Sequence, residues 1–400
     1  MNRLSGKKVV KQVSKKTVAK KEEENLRNLP EKIKYLLWGK AAGRCQFRGC
    51  NEMLYRDLTT QSEFNQAYIA HIYGVKPNSA RYVKDKSESL AKDISNLMLM
   101  CDAHHRQIDQ HEKDKYTAEI LIQMKKEHEE RIEILADISP SLKSEIVIYK
   151  ASIGVNPVVM TYESLREYLV PKYYPARHIA TDLSLSNSTS VDSRKSFWEL
   201  QKENLEDQFR DQILPKLRKS ELPHVSLFAL APIPLLIKLG IMLNDIQQID
   251  VRQKRRNPDT WNFEADIDTV YNLELAAEVK TNIALKIELS DTITDDRITS
   301  VLGGDTSIYS IKIDHPDNDF VKSRKQITDF GEKMKEAFRE IKRVHGQEAI
   351  LNIFPAMPVS LAVQLGRVWM PKADLSMTIF DQNRELGGFV KAIDIVHQSG

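Results

Sequence analysis

The chain of 400 residues has few cysteines, little net charge and no uninterrupted apolar segment of membrane-spanning length. Its three cysteines leave little scope for disulfide bonds, so we expect a reducing compartment, the cytoplasm. The net charge of +3 by itself indicates no class of partner. No apolar segment follows the basic N-terminus, which argues against a signal peptide. The longest apolar stretch, Val225–Leu243, is interrupted by Pro232, Pro234, Lys238 and Gly240, and we expect no membrane partner.

What the chain does contain is a dense group of metal-ligand residues near its N-terminus. Cys45 and Cys50 form a C-x4-C pair, and Cys101 and His104 form a C-x2-H pair further along. Two such turns can place four sulfur and nitrogen ligands around one tetrahedral Zn²⁺. The alternative is three unrelated buried thiols, because free cysteine is among the most buried residue types. The pairing with a histidine favours a structural zinc site.

Three further residues are interleaved with this zinc motif, in the order His71, Asn96 and His105. With the Cys/His pairs they resemble the HNH, or ββα-metal, endonucleases over about residues 30–136. The resemblance implies that His71 is the general base for phosphodiester hydrolysis. It implies that Asn96 opens the second strand, fixes the backbone and holds the tautomer of His71. It also implies that His105 binds a catalytic divalent ion, Mg²⁺ or a similar cation.

Asp109 and Ala70 bear on how that ion is held. Asp109 lies four residues after His105 on the same helical face, so both side chains can reach one ion. His104 and His105 point about 100° apart around a helix, so one can bind zinc and the other the catalytic ion. Many HNH relatives carry an acidic residue or a second histidine where this chain has Ala70. We therefore expect a sparse shell of His105, Asp109, water and substrate oxygens, suited to Mg²⁺.

Charge and local pattern predict four regions along the chain. Residues 1–27 carry nine Lys/Arg against three Glu, which indicates a flexible arm that either contacts phosphates or only aids solubility. Residues 28–137 would form the HNH domain, with residues 138–161 as a linker and residues 162–400 as a second domain. Within the HNH domain, a polar loop at 73–92 is predicted to follow substrate phosphates through four basic residues: Lys76, Arg81, Lys84 and Lys86.

Three helices are predicted around these regions. The first runs from Pro30 to about Ala42, with its apolar face formed by Ile33, Leu36 and Leu37. The second runs from a Thr117 cap to about Ala136, with its buried stripe formed by Ile120, Leu121, Met124 and Ile132. The third runs from Lys195 to Leu214, is ended by Pro215, and directs inward Phe197, Trp198, Leu205, Phe209 and Ile213.

The C-terminal half contains an internal repeat. Val225–Gly240 aligns without gaps with Leu351–Gly366 at a constant offset of 126 residues, and each copy predicts a buried strand, a proline turn and a helix. Further predicted elements are strands at 249–254, 284–289, 308–313 and 375–380 and a helix at 320–344. This alternation predicts an α/β fold with largely parallel sheets in two related lobes.

This duplicated pattern resembles the SAVED domain, a fusion of two CRISPR-associated Rossmann-like (CARF) lobes that binds cyclic oligonucleotide messengers. The segment Val251–Trp261 also carries the resemblance, which covers residues 162–400. HNH followed by SAVED is the arrangement of a bacterial antiphage (CBASS) effector nuclease. The fold class implied is α+β multidomain, with a zinc-stapled ββα-metal module followed by a duplicated Rossmann-like sensor.

The resemblance implies a ligand site beyond the carboxyl ends of the sensor strands, where open α/β sheets bind their ligands. Pro232 and Pro355 lie at these strand ends. Lys254 and Arg255 would pair with the phosphates of a cyclic di- or trinucleotide, and Trp261 would stack on a base. The alternatives are solvated charges for the two basic residues and an ordinary core position for the tryptophan.

The function implied is Mg²⁺-dependent cleavage of double-stranded DNA, activated by a cyclic di- or trinucleotide, in a homo-oligomer. One alternative is a constitutive restriction-type HNH nuclease whose C-terminal half recognises DNA. The many acids of that half, among them Asp291 and Asp317, argue against it. The other alternative is a zinc-stapled nucleic-acid-binding regulator without activity. The joint presence of His71, Asn96 and His105 argues against that regulator.

Overall fold

The computed structural model describes residues 28–152, 159–185, 194–219, 224–244, 246, 248–383 and 386–396. The chain divides into two compact units, Met1–Ser139 and Pro140–Gly400, which we describe separately. The predicted basic arm at residues 1–27 lies outside the described residues. Across the described ranges, every helix is either too short or too polar to cross a lipid bilayer.

The N-terminal unit contains a two-stranded antiparallel sheet followed by a helix. Its elements in chain order are α1 (Glu31–Ala41), β1 (Tyr68–His71), α2 (Lys84–Ser89), β2 (Leu97–Met100), α3 (Asp102–Arg106) and α4 (Ala118–Ala136). In the sheet, His71 lies opposite Leu97. Helix α3 continues into a π-helical turn at Gln107–His111. This β–β–α order places the candidate residues of strand and helix side by side.

The apolar face of each long helix decides which side chains form the core of this unit. Strand β2 is buried along its whole length because all four of its residues are apolar. In α4, Leu121 and Met124 are buried, and Thr117 caps the helix by accepting a hydrogen bond from the Ile120 amide, as predicted. Ile120 and Leu36 were expected inside, but both are exposed, because they lie beside the buried stripes rather than within them.

The C-terminal unit consists of two sheets and the helices packed on them. The strands are β3 (Lys143–Lys150), β4 (Tyr174–Pro175), β5 (Thr181–Asp182), β6 (Val225–Leu230), β7 (Ile249–Val251), β8 (Asn272–Glu274), β9 (Asn282–Glu288), β10 (Thr306–Lys312), β11 (Ile350–Ala356), β12 (Ser376–Asn383) and β13 (Gly388–Ile395). The helices are α5 (Tyr162–Leu165), α6 (Lys195–Gln212), α7 (Leu214–Arg218), α8 (Ile233–Met242), α9 (Asp295–Leu302), α10 (Arg324–His345) and α11 (Val359–Val368).

One of the two sheets is entirely parallel and the other is mainly parallel. One has the strand order β4-β3-β6-β7, with β5 beside β3, and all of these pairs are parallel. The other has the order β13-β12-β11-β9-β10-β8, in which only the edge strands β8 and β13 pair antiparallel. The prediction of largely parallel sheets is thus confirmed. Antiparallel edge strands are common on otherwise parallel sheets.

Two sequence predictions need correction in this unit. Residues 138–161 are not simply a linker, because strand β3 runs through them and pairs with β6 in the middle of its sheet. The apolar run at 146–149 explains this, since a central parallel strand is buried on both faces. Pro215 does not end the helical region but lies in the first turn of α7, where its missing amide hydrogen is tolerated. The inward residues predicted for α6 are buried.

The internal repeat forms equivalent structures in the two sheets. The first copy is β6 followed by α8, and the second is β11 followed by α11. Each helix begins directly after a proline, Pro232 in one copy and Pro358 in the other. The two helices pack closely against each other, and their glycines Gly240 and Gly366 lie at the contact.

Candidate functional sites

The four predicted zinc ligands converge in the N-terminal unit. The ligand atoms of Cys45, Cys50, Cys101 and His104 all lie within 4.8 Å of one another. His104 Nδ1 is 3.0 Å from Cys101 Sγ and 3.9 Å from Cys45 Sγ. Zinc–sulfur bonds of about 2.3 Å and zinc–nitrogen bonds of about 2.0 Å require a spacing of this size around a tetrahedral ion. Three thiols and one imidazole are therefore a donor set that fits Zn²⁺.

Backbone hydrogen bonds and ring stacking hold these four residues. The Cys45 amide donates to the Glu52 carbonyl at 2.9 Å, and the Cys50 amide donates to Phe47 at 3.0 Å, closing the first turn. The Phe47 ring stacks on the His104 ring with their centroids 4.1 Å apart. Burial raises the pKa of the Cys45 and Cys101 thiols. Stable thiolates at this place therefore require a bound cation, and binding it would release protons.

A second group of predicted residues surrounds a cavity of about 450 Å³ in the same unit. His71, His105 and Asp109 line it, and Lys34 and Asn28 lie on its wall. His104 of the Cys/His cluster and the cavity residue His105 are neighbours in α3 that project to different sites, as their angular separation on a helix predicted.

His71 is oriented by a backbone carbonyl. Its Nε2 lies 3.0 Å from the Ala91 carbonyl oxygen. Because a carbonyl only accepts hydrogen bonds, Nε2 carries the proton and Nδ1 is the lone-pair nitrogen. The tautomer is thus set by Ala91 and not, as the resemblance implied, by Asn96.

Asn96 does have the expected backbone role. Its side-chain oxygen accepts from the Tyr73 amide at 2.6 Å, and its Nδ2 donates to the carbonyls of Tyr73 at 3.1 Å and Leu90 at 3.2 Å. Asn96 is buried and ends a short 3₁₀ turn directly before β2. The Asn96 side chain therefore links the segment after His71 to the loop that contains Ala91.

His105 and Asp109 lie together on the cavity wall. His105 Nε2 is 3.4 Å from Asp109 Oδ2, and the His105 ring stacks on Tyr68 with a centroid distance of 5.0 Å. Two ligands about 2.1 Å from one Mg²⁺ lie about 3.0 Å apart when they are at right angles, so this pair can chelate an ion after a small adjustment. Ala70 is buried and points away from the His71 face of β1, so it adds no donor.

The structure contradicts the predicted role of Arg81 as a phosphate contact. Its side chain is only 6% exposed, and its guanidinium donates to Asp109 Oδ1 at 2.5 Å. Of the other three predicted contacts, Lys84 and Lys86 are exposed on α2 and Lys76 is half-buried. The predicted polar loop therefore contains a short helix and one buried arginine.

A second cavity, of about 370 Å³, lies in the C-terminal unit at the carboxyl ends of β6 and β11. The first residues of α8 and α11, Ile233 and Val359, both line it. Each ten-residue helix presents there the positive end of its dipole, and in α11 the Ser360 amide donates to Gln253 Oε1 at 3.1 Å. Together with the side chains of Lys254 and Arg256, these termini make an electropositive concavity suited to anions.

Three of the five predicted ligand residues line this cavity: Pro232, Lys254 and Pro355. Burial lowers the pKa of Lys254, which also pairs with Asp259. Arg255 instead points inward, is 5% exposed and pairs with Glu264. Trp261 is 4% exposed and packs edge-on against Phe228 in the core. Neither Arg255 nor Trp261 is therefore placed to contact a ligand.

Sequence reasoning missed Arg256, Gln253 and Asp319 at this cavity. Arg255 pairs with Thr260 across a tight turn. Gln253, Lys254 and Arg256 line the cavity whereas Arg255 points inward, so no simple sequence period predicts the side-chain directions of this turn. Asp319 accepts hydrogen bonds from the amides of Arg256 and Asn257, all at 3.0 Å, and so holds this turn.

The family model described as "SMODS-associated and fused to various effectors sensor domain" (SAVED) matches residues 205–395. The C-terminal unit contains a SAVED sensor domain. The match covers both copies of the internal repeat and the cavity between their strand ends. The SAVED domain thus lies within the region 162–400 in which the sequence predicted it.

Solved structures of SAVED receptors are similar to the chain at low sequence identity. Two are an Acinetobacter baumannii Cap4 SAVED/CARF-domain containing receptor with the cyclic trinucleotides 2'3'3'-cAAA and 3'3'3'-cAAA. Their TM-scores are 0.43 and 0.42 at 12% and 11% identity, covering 79% and 78% of this chain and 67% of each receptor chain. A Moraxella osloensis Cap4 receptor has a TM-score of 0.37 at 11% identity, covering 78% of this chain and 66% of its own. A search of curated proteins found no match.

Proposed function

We propose that this protein is a Mg²⁺-dependent endonuclease for double-stranded DNA whose activity is controlled by a cyclic di- or trinucleotide bound to its SAVED domain. The observation that carries the proposal is the convergence of His71, His105 and Asp109 on one cavity beside a Cys₃His cluster. This is the set of groups that phosphodiester hydrolysis needs: a base, and ligands for a divalent cation. The Cys₃His cluster would hold Zn²⁺ as a structural ion.

Four residues that line the cavity have roles in the proposed reaction. His71, with its proton held on Nε2 by Ala91, would accept a proton from the attacking water at Nδ1. His105 and Asp109 would hold Mg²⁺, which supplies Lewis-acid stabilisation of the phosphate charge. Lys34, the cation on the cavity wall, would contact a DNA phosphate. Asn96 would act indirectly, by fixing the backbone that follows His71.

The cavity at the carboxyl ends of β6 and β11, which we call the SAVED cavity, is suited to an anionic ligand with more than one phosphate. The two repeated helices point their positive ends into one space, so two phosphates of a cyclic molecule could each meet one helix start. Lys254 and Arg256 would add direct charge pairing. The paired arrangement favours a cyclic oligonucleotide over a single nucleotide, which has phosphate on one side only.

We expect control by a ligand because a DNase that was always active would cleave the DNA of its own cell. Converting a population from about 1:99 to 99:1 active requires roughly 5.5 kcal/mol of differential ligand affinity between the two states. A ligand that brings two copies of the chain together could supply this free energy by pairing their nuclease units. We therefore expect a homo-oligomer in the active state.

Incubation of the purified protein with supercoiled plasmid tests the proposal. Reactions contain Mg²⁺ or EDTA, with or without members of a panel of cyclic di- and trinucleotides. We expect cleavage only with Mg²⁺ and one class of cyclic nucleotide. His71→Ala should abolish cleavage while zinc content and ligand binding stay unchanged. His111→Ala, an exposed histidine of the same segment, is the matched control and should cleave as the wild type does.

The outcomes separate the three candidate functions. Cleavage without any cyclic nucleotide would indicate a constitutive nuclease. DNA binding without cleavage under every condition would indicate a regulator. Cleavage by His71→Ala within a few-fold of the wild-type rate would remove His71 as the base.

A further inference from the structure

Arg81 of the N-terminal unit has a buried, charged side chain that the proposed chemistry does not use directly. Its side chain is 6% exposed, although the residue lies in the loop between β1 and α2. Its backbone is left-handed, with φ of 56°, which a long side chain rarely adopts. Such a conformation persists only where the surrounding contacts enforce it.

The guanidinium is fixed by hydrogen bonds in three directions. Nε donates to the Ile72 carbonyl at 2.7 Å, Nη1 to the Ile108 carbonyl at 2.7 Å, and Nη2 to Asp109 Oδ1 at 2.5 Å. A guanidinium has five donors in a rigid plane, so it can hold three acceptors at defined angles. A lysine ammonium cannot reproduce this plane.

The three nearest acceptors belong to the two sides of the candidate active site, and Nη1 also lies 3.5 Å from the Tyr116 carbonyl oxygen. Ile72 directly follows His71, the proposed base. Ile108 and Asp109 belong to the π-helical turn that follows His105, where the irregular helix end leaves carbonyls without helical partners. Arg81 therefore connects the strand of the base to the helix of the metal ligands.

Arg81 also determines which Asp109 oxygen can reach a metal ion. Oδ1 accepts from Arg81, whereas Oδ2 lies 3.4 Å from His105 Nε2. The carboxylate thus presents one oxygen beside the imidazole and keeps the other on the guanidinium. Hydrogen bonds of this kind to ligand carboxylates orient them and tune metal affinity.

We propose that Arg81 is a positioning residue that sets the spacing between His71 and the His105–Asp109 pair and makes Asp109 a one-oxygen ligand. This inference rests on the proposed nuclease function. It predicts that Arg81 affects affinity for the divalent ion and the rate of cleavage, while the zinc cluster and the SAVED domain stay unaffected.

The test compares Arg81→Lys and Arg81→Met in the full-length protein. Arg48→Met is the matched control, because Arg48 is an arginine of the same unit that also pairs with a carboxylate, Glu127, but is exposed. Mn²⁺ binding is measured without DNA by electron paramagnetic resonance, after zinc content is verified. Cleavage is then measured against Mg²⁺ concentration at saturating activator.

We expect both Arg81 variants to bind Mn²⁺ about 10–100-fold more weakly than the wild type, because outer-shell partners of metal ligands typically contribute this much. Arg81→Lys should be the milder change, since lysine keeps the charge beside Asp109. The Mg²⁺ half-activation concentration should rise in parallel, and the cleavage rate at saturating Mg²⁺ should fall, whereas Arg48→Met matches the wild type.

Two results would overturn the inference. One is zinc-loaded Arg81 variants with wild-type Mn²⁺ affinity and an unchanged Mg²⁺ curve. The other is loss of zinc from both variants, which would assign Arg81 to the stability of the unit alone. Wild-type protein that binds Mn²⁺ but never cleaves DNA would reject the nuclease proposal, and the Mn²⁺ comparison would still decide the role of Arg81 at the ion.

Discussion

Gly240 and Gly366 occupy equivalent positions in the two repeat copies and touch where α8 crosses α11. A Cβ placed on Gly240 would lie 3.0 Å from the Gly366 Cα, and one on Gly366 would lie 2.9 Å from the Gly240 Cα. Each would also overlap a carbonyl oxygen of the facing helix, that of Val363 or of Ile237. The obstacle is backbone rather than a flexible side chain, so only glycine permits this crossing.

Gly366→Ala should therefore destabilise the C-terminal unit. Overpacking of a tight contact typically costs about 1–3 kcal/mol, and the two helices would have to separate. Chemical denaturation followed by hydrogen exchange in α8 and α11 measures the change. Gly304→Ala is the control, because a Cβ at Gly304 meets nothing within 4 Å. Equal stability of the two variants would contradict the close crossing.

Cys101→Ser should unfold the N-terminal unit and leave the C-terminal unit folded. Structural zinc binding amounts to about 10–16 kcal/mol in small peptides, which is comparable to the stability of a whole domain. Elemental analysis reports the zinc, and hydrogen exchange reports each unit separately. His111→Ala should keep one zinc ion per chain. Native protein without zinc would remove the basis of this prediction.

Trp261→Ala should affect core packing, whereas Lys254→Ala should affect ligand binding. Truncating a buried tryptophan typically costs about 3–5 kcal/mol, so Trp261→Ala should lower the stability of the C-terminal unit. Lys254→Ala should leave stability unchanged and raise the Kd for the cyclic nucleotide. Loss of one charge-assisted hydrogen bond costs about 1.5–3 kcal/mol, or roughly 10- to 150-fold in affinity.

Calorimetric titration with the activating nucleotide measures the affinities of these variants. Lys335→Ala, which removes an exposed lysine of α10, is the control for Lys254→Ala. A Lys254→Ala protein that binds the nucleotide as tightly as the Lys335→Ala protein would exclude Lys254 from the ligand site.

His224 should make the C-terminal unit less stable in acid. Burial, with the Lys172, Arg252 and Arg324 charges nearby, lowers the pKa of His224 to about 4, against an ordinary value of 6.5. At neutral pH both the folded and the unfolded forms hold a neutral imidazole. Between about pH 6.5 and pH 4 the unfolded chain binds the extra proton, so stability falls as pH falls.

The loss over this pH window amounts to about 3 kcal/mol at 1.36 kcal/mol for each pKa unit. His224→Gln keeps a polar partner for Ser144, whose hydroxyl lies 2.8 Å from His224 Nδ1, but cannot titrate. Unfolding free energies at pH 7 and pH 4.5 should therefore differ less in the variant than in the wild type. If the unfolding free energies of variant and wild type fell equally between pH 7 and pH 4.5, His224 would bind its proton equally well in the folded and the unfolded chain.

Side-chain direction is where sequence reasoning failed most clearly. Arg255 and Trp261 were expected in the ligand site, yet both point into the protein interior. Their residue types suit phosphate and base contacts, but type alone does not say which way a side chain points in an irregular turn. Arg81 was misassigned for the same reason, because no local pattern shows that a loop arginine meets acceptors on two other segments.

The sequence by itself determined the spacing of the four candidate zinc ligands, the order of His71, Asn96 and His105, and the duplicated strand–proline–helix pattern. These are local properties, because ligand spacing and hydrophobic periodicity depend on residues close together in the sequence. Only the tertiary structure decided that Ala91 orients His71, that Arg81 holds Asp109, and that Arg256 rather than Arg255 faces the SAVED cavity. Those relationships either join residues that are distant in the chain or depend on the direction of one turn. Packing of the whole unit determines both the long-range contacts and the turn direction.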